Sequence, residues 1–344
     1  MNTPSIPGQR HEHRADRKQG DGLADTSDPA TRPCLSFVVP CYNEEENIAS
    51  TLQEIAFESA RLKRNFEIIL VDDGSHDRTV DIARAMMSDY PVRILRLSRN
   101  FGKEQAISAG MESALGEAVV LLDADLQEPI SHLETLLEHW ENGYEMIYAV
   151  RADRKNEPWL KRGAVRLFYG LLNYAAATDI PRNARDFRLM DRKVVDALNA
   201  LPERNRFMKG LYSWVGFRTK EIAIELQPRR KGKSKFGTKR LAGLALTGLT
   251  AFSDWPLRVW SGIGFVLAVL SIIYGAWIVL ETLIWGVKTP GWSSLAAAIF
   301  FLGGVQLISI GVLGEYIGRV FTEVKARPGH IVAERIDFRD ERET

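Results

Sequence analysis

Beyond about residue 32 the chain alternates short apolar runs with longer amphipathic stretches. The runs at 35–39, 67–71, 92–97, 118–122 and 144–150 are short and apolar or β-branched and read as strands of a mostly parallel sheet. Between them lie segments of helical period: 45–62, with Ile48, Leu52 and Ile55 on one face; 79–87; 103–115, closed by Gly116; and 132–141, closed by Gly143. Strand, polar turn and helix repeated in that order predict a Rossmann-like α/β domain on a mostly parallel sheet.

Two later stretches, 259–287 and 293–318, are almost wholly apolar. Each exceeds the roughly 20 residues that cross about 30 Å of hydrocarbon, so the pattern predicts two transmembrane helices. The connection around Lys288 is short, which makes them an antiparallel hairpin with both flanks on one side. Lys239, Arg240 and Arg258 precede the pair and Arg319, Lys325 and Arg327 follow it, whereas the connection offers Lys288 alone. The positive-inside rule then places the catalytic domain and both termini in the cytoplasm, giving a multi-pass protein of the cytoplasmic membrane. Segment 237–257 is moderately amphipathic through Leu241, Leu244, Leu249 and Phe252 and reads as interfacial helices. The expected organisation is a disordered tail 1–32, a catalytic domain 33–236, interfacial helices 237–257, the membrane hairpin 258–318 and a cytoplasmic tail 319–344.

Charge and cysteine content narrow the classes. Lys and Arg nearly cancel Asp and Glu, leaving a net charge of +1, so bulk charge gives no support to a nucleic-acid binder. Cys34 and Cys41 flank one expected strand without a zinc-ligand cluster beside them and read as reduced thiols. No apolar stretch precedes Leu35, so the sequence predicts no signal peptide. Gly232-Lys233-Ser234 lacks the glycine-rich turn of a phosphate loop, and no Gly-x-Gly-x-x-Gly follows the first strand, which removes the main support for a dinucleotide-binding dehydrogenase.

In an open α/β sheet, ligands bind outside the carboxyl ends of the strands. Pro40, Cys41, Tyr42, Asn43 and Glu44 stand there after the first strand, Asp72 and Asp73 after the second, Lys103 beyond the third, and Asp123, Ala124, Asp125 and Gln127 after the fourth. Asp72 and Asp73 before Gly74 also suit a turn and a helix cap. Asp123 and Asp125 lie two apart, so an extended chain aims them alike, and two adjacent carboxylates repel unless a cation lies between. Hard oxygen ligands suit Mg²⁺ or Mn²⁺, which also hold phosphate oxygens.

The segments Val-Val-Pro-Cys-Tyr-Asn-Glu-Glu, Val-Asp-Asp-Gly-Ser, Ser-Arg-Asn-Phe-Gly-Lys and Asp-Ala-Asp-Leu-Gln, in this order, resemble family 2 glycosyltransferases, which share the GT-A fold. Asp186-Phe-Arg-Leu-Met, the run from Arg206, the 229–235 loop and the terminal hairpin resemble, more narrowly, bactoprenol-phosphate glucosyltransferases and dolichyl-phosphate mannose synthases. The resemblance implies transfer of a sugar from a nucleotide-sugar donor, with UDP-glucose favoured, to a polyisoprenyl phosphate such as undecaprenyl phosphate. It places Pro40, Tyr42, Asn43, Glu44, Asp72, Asp73, Lys103, Asp123, Ala124 and Asp125 around the donor, and Asp123, Asp125 and Gln127 around the metal. It puts Arg151, Lys161, Arg206, Arg229, Ser234 and Lys235 around the acceptor phosphate, with Asp125, Arg151 and Asp186 at the reacting centre. Asp186 there is either a base or a residue orienting Arg188 or the sugar. Related chains often carry a serine four residues after the position of Lys161; this one has Val165. Arg230, Lys231 and Lys233 also suit attraction to anionic lipid. The partners implied are the donor, the lipid acceptor and the membrane, with homo-oligomerisation left open. A processive polysaccharide synthase would carry Gln-x-x-Arg-Trp and more spans, and a lipid flippase would need more helices.

Overall fold

The computed structural model describes residues 34–152, 181, 184–204, 206–225, 227, 255–285 and 291–337. Lys161, Arg229, Ser234, Lys235, the tail 1–32, the connection around Lys288 and most of segment 237–257 lie outside the described residues.

The strands are β1 (Leu35–Cys41), β2 (Phe66–Asp72), β3 (Val92–Leu97), β4 (Ala118–Leu121), β5 (Met146–Arg151), β6 (Ala184–Asp191), β7 (Thr219–Ile224) and β8 (Val332–Asp337). The helices are α1 (Ile48–Arg61), α2 (Thr79–Ala85), α3 (Lys103–Ser113), α4 (Leu133–Glu141), α5 (Arg192–Asn199), α6 (Met208–Trp214), α7 (Trp255–Trp285) and α8 (Trp292–Val324). One sheet joins the strands in the order β7-β5-β6-β4-β1-β2-β3-β8. Four of its seven pairings are parallel; β6 runs antiparallel to both its neighbours, and β8 runs antiparallel to β3.

Odd positions of β1 and even positions of β2, which pair in register, face one core, and the alternate positions of both strands face another, as strand geometry requires. Phe37, Val39, Ile68 and Leu70 pack with Leu52 and Ile55 of α1, Ala83 of α2 and Leu136 of α4. Val38, Ile69 and Val71 pack on the opposite face with Ile107 of α3, Val194 of α5 and Leu211 of α6. Helices on both faces are why these strands are largely apolar along their length.

Helices α7 and α8 contain 31 and 33 residues, about 46 and 50 Å at the usual rise of about 1.5 Å per residue. They touch each other, yet large apolar side chains remain exposed along both, among them Phe265, Leu270, Trp277 and Leu283 on α7 and Phe301, Leu307 and Val320 on α8. An apolar surface of that extent is unfavourable in water and suits lipid. Among the described residues, Phe301–Val324 is long and apolar enough to cross a membrane.

The segment after the hairpin, expected as a tail, contains β8, which closes the β3 edge of the sheet. Arg93 bonds Asp337 at 3.2 Å, Arg84 bonds Glu334 at 3.0 Å, and the Ser98 amide donates to Ile331 O at 2.9 Å. The exposed edge of β3 offers unpaired backbone groups, and β8 satisfies them.

Candidate active site

One rim gathers the ends of β1 to β5 and the start of β6. The β4–β6 register pairs Leu121 with Arg188, and continuing it by two residues sets Asp123 opposite Asp186. Lys103, the first residue of α3, reaches between them. Its Nζ lies 2.5 Å from Asp123 Oδ1 and also donates to Asp186 Oδ2. Burial works against the ammonium charge, but Asp123 and Asp186 outweigh it and hold the Lys103 pKa well above its ordinary value. Burial likewise pushes Asp186 up, but the charges of Lys103 and then Lys209 bring it well below the usual carboxylate range.

After β4 the chain turns through Leu126, whose φ of 51° lies in the left-handed region, and returns a third carboxylate to the same place. Oxygens of Asp123, Asp125 and Glu128 all lie within 4.8 Å of one another. Glu128 is fully buried. Its Oε1 accepts from Arg185 Nε at 2.6 Å, while Oε2 has no hydrogen-bond partner among the described residues. Burial first, and the charge of Asp123 second, raise its pKa to about 7. A buried carboxylate oxygen left unsatisfied beside two more carboxylates fits a hard divalent cation such as Mg²⁺ or Mn²⁺.

The sequence reading placed Gln127 in this group and missed Glu128. Gln127 enters through its backbone: its N–H donates to Asp125 Oδ1 at 3.2 Å and its carbonyl accepts from Gln227 N at 2.9 Å. An acid before Pro129 was the sole sequence signal for Glu128, and its partner Arg185 is 57 residues away.

Several residues expected against the donor fasten the rim loops to one another. The Asn43 amide donates to Ser75 Oγ at 2.8 Å, and its side-chain oxygen accepts from His76 N at 2.9 Å. Glu44 N donates to Thr79 Oγ1 at 2.9 Å. Buried Asp72 accepts from Ser75 N at 3.0 Å. Asp73 uses both oxygens on the next loop, accepting from Phe101 N at 2.7 Å and Gly102 N at 2.9 Å. Thr51 donates to Ala124 O at 2.8 Å, tying α1 to the metal turn. Pro40 is the penultimate residue of β1, and Tyr42 stands edge-on to His76 at 6.5 Å between ring centroids. The side-chain bonds of Asn43 and Asp73 join the loops that follow β1, β2 and β3.

On the acceptor side, Arg151 ends β5 where Val150 pairs with Ala184, which brings it beside the start of β6 on the Asp186 rim. Arg206, expected at the acceptor phosphate, is bonded to protein groups in this structure. Its guanidinium donates to Leu201 O at 3.0 Å, Glu203 O at 3.2 Å and Ser108 Oγ at 3.2 Å, so it folds its own loop with the nitrogens assigned to phosphate. Arg188 is buried with its guanidinium 3.5 Å above the Tyr212 ring and donates to Arg185 O at 2.7 Å, a support beneath Asp186.

Comparison with known proteins adds a second line. Residues 36–198 match the family model of glycosyl transferase family 2, and residues 255–320 match that of the GtrB C-terminal hairpin. The chain is 46% identical over 299 residues to an SfII prophage-derived bactoprenol glucosyl transferase of Shigella flexneri, covering 87% of this chain and 97% of that one. It is 44% identical, over 87% of its length and 98% of the relative's, to a prophage bactoprenol glucosyl transferase homolog of Escherichia coli K12. An uncharacterized glycosyltransferase of Synechocystis is 46% identical over 87% of this chain and 95% of that one. The likeness spans the carboxylate rim and the hairpin alike, and the chain belongs to glycosyl transferase family 2, as a GT-A glycosyltransferase with a C-terminal hairpin of the GtrB type.

Proposed function

We propose that this chain transfers a glucosyl residue from UDP-glucose to a polyisoprenyl phosphate, such as undecaprenyl phosphate, at the cytoplasmic face of the membrane. The observation that carries the reading is the 46% identity, over the rim and hairpin together, to a protein named for glucosyl transfer to bactoprenol. An attacking oxygen of a phosphate monoester, whose second pKa is near 6, is already ionised at neutral pH, so the acceptor needs positioning rather than a strong base. That favours the quieter role for Asp186. A carboxylate held well below its ordinary pKa by Lys103 is a poor proton acceptor but a firm anchor for a sugar hydroxyl or for the lysine itself.

The phosphate oxygen bonds to the anomeric carbon as the bond to the nucleoside diphosphate breaks, with inversion and UDP as the leaving group. Asp123, Asp125 and Glu128 would hold the divalent ion, which when bound supplies Lewis-acid neutralisation of the departing diphosphate. Lys103 adds a positive charge at the same place, and Arg151 offers a planar fork to the lipid phosphate. Lys161, Arg229, Ser234 and Lys235 complete the acceptor set on this reading. Helices α7 and α8 cross the membrane as an antiparallel pair, both termini are cytoplasmic, and the hairpin surface suits self-association.

Incubating the reconstituted protein with undecaprenyl phosphate and a panel comprising UDP-glucose, UDP-N-acetylhexosamine, GDP-mannose, a UDP-aminoarabinose derivative and a UDP-uronic acid tests the reading. Product with UDP-glucose, lost in EDTA and restored by Mg²⁺ or Mn²⁺, is expected. Transfer to the dephosphorylated alcohol at the same rate would overturn the acceptor, and a preference for another donor would replace the sugar. Glu128→Ala should raise the Mn²⁺ concentration for half-activity about tenfold or more, because three ligands become two. An unchanged metal requirement would remove Glu128 from the set.

A further inference from the structure

The end of α8 does more than leave the membrane. Glu323, in its last turn, directs both carboxylate oxygens at one backbone amide of the catalytic domain: Oε1 and Oε2 each lie 3.2 Å from Arg204 N. One turn later, Arg327 O accepts from Arg204 Nε at 2.9 Å. The same loop is gripped from the other side by the start of α3. Gln105 Nε2 donates to Arg204 O at 2.8 Å, Glu104 accepts from Met208 N at 3.3 Å, and Ser108 Oγ accepts from Arg206 at 3.2 Å. The helix making those three contacts begins with Lys103, whose ammonium bridges Asp123 and Asp186. Gly329 packs so closely on the Gln105 side chain that a Cβ there would meet it at 2.2 Å.

A loop between a membrane helix and the helix that begins with Lys103, bonded to both, has one physical consequence. Its amides fix where the two meet, and a carboxylate accepting a backbone N–H makes a stronger bond than a neutral acceptor would. We propose that Glu323 is a positioning residue for the transfer reaction: it holds the Arg204 loop from the membrane side, so that docking of α8 sets α3 and Lys103 at the height where the lipid phosphate arrives. The proposal rests on the lipid-phosphate reading given above. It accounts for a carboxylate in the last turn of α8, where a cation would suit the helix dipole better.

The test uses the full chain in lipid nanodiscs, with UDP-glucose, undecaprenyl phosphate and amide hydrogen exchange. Glu323→Ala removes both acceptors and is expected to lower kcat/KM for the lipid about tenfold, the effect of losing one charge-assisted hydrogen bond. The Kd for UDP-glucose, measured without lipid, stays within about twofold, since no donor-wall contact is altered. Protection of the Arg204 and Met208 amides falls by about the same tenfold factor. Glu323→Gln keeps a neutral acceptor oxygen and is expected to recover part of both losses. Thr322→Ala, one position away and exposed, is expected to behave as wild type.

Unchanged lipid kinetics and unchanged Arg204 protection in Glu323→Ala would overturn the proposal. So would a parallel loss of donor affinity and of protection throughout the sheet with no recovery by Gln, which marks general destabilisation. If the wild type fails to glycosylate the lipid, the functional reading fails, and the exchange arm alone then decides whether Glu323 holds the loop.

Discussion

Glu104 offers a sharp test of how burial and charge balance around the reacting centre. It follows Lys103 on α3, faces Asp186, and has Lys103 and Lys209 as its nearby cations, with Met208 N–H as a hydrogen-bond donor. Burial, reinforced by the Asp186 charge, raises its pKa from 4.5 to about 7, against the opposing pull of Lys103, the Met208 amide and Lys209. An acid whose pKa is higher folded than unfolded binds more protons in the native state over the interval between the two values. Its contribution to stability is therefore greatest below about 4.5, declines as pH rises toward about 7, and levels off above. At about 1.4 kcal/mol per pH unit the interval corresponds to at most about 3 kcal/mol. Glu104→Gln keeps an acceptor for the Met208 amide and cannot ionise. The variant should match wild type near pH 4.5 and exceed it by up to about 3 kcal/mol near pH 8, which is about 6–12 °C in Tm for a domain of this size. Thermal unfolding in nanodiscs at pH values between these limits, each variant against wild type in the same buffer, measures the difference directly. Glu128 also titrates near 7 but is common to both proteins and cancels. A stability difference independent of pH, or a Gln variant less stable than wild type near pH 8, would refute the balance described here.

Two further outcomes follow from the geometry. Gly74 has φ of 75°, and a Cβ there would lie 2.7 Å from the Arg99 carbonyl carbon, so Gly74→Ala should separate the loops after β2 and β3, lower Tm by several degrees and weaken UDP-glucose binding about tenfold or more in calorimetry; equal affinity would show that these loops do not shape the donor wall. In a background lacking Cys34 and Cys41, Ser293→Cys should react with an impermeant thiol reagent on intact cells and Thr322→Cys should not, whereas the reverse pattern would place the catalytic domain outside.

Much of the architecture was written in local pattern. Short apolar runs announced β1 to β5, helical spacing announced α1 to α4, and two long apolar stretches announced α7 and α8, because each depends on a residue and its near neighbours in the chain. The spacing of Asp123 and Asp125 was enough to aim both carboxylates the same way, since alternation along an extended chain is a local property. Other features had no local signal. Strand β6 enters the sheet antiparallel between β4 and β5, and only that register brings Asp186 to Lys103, 83 residues earlier. Glu128 became a member of the carboxylate group because the turn at Leu126 and the distant Arg185 place it there. The bonds of Arg206 to Leu201 O and Glu203 O had no sequence signal either, since those carbonyls come from a turn whose shape no spacing rule specifies. Segment 332–337 reads as a charged tail in sequence and becomes a strand because the open edge of β3 supplies the backbone partners it lacks alone. Sequence by itself determined β1 to β5, α1 to α4, the two long apolar stretches, the family and the paired aspartates of the rim; tertiary structure decided the later strands and which charges meet, because edge pairing, pKa, metal-ligand grouping and loop anchoring depend on distances between residues far apart in the chain.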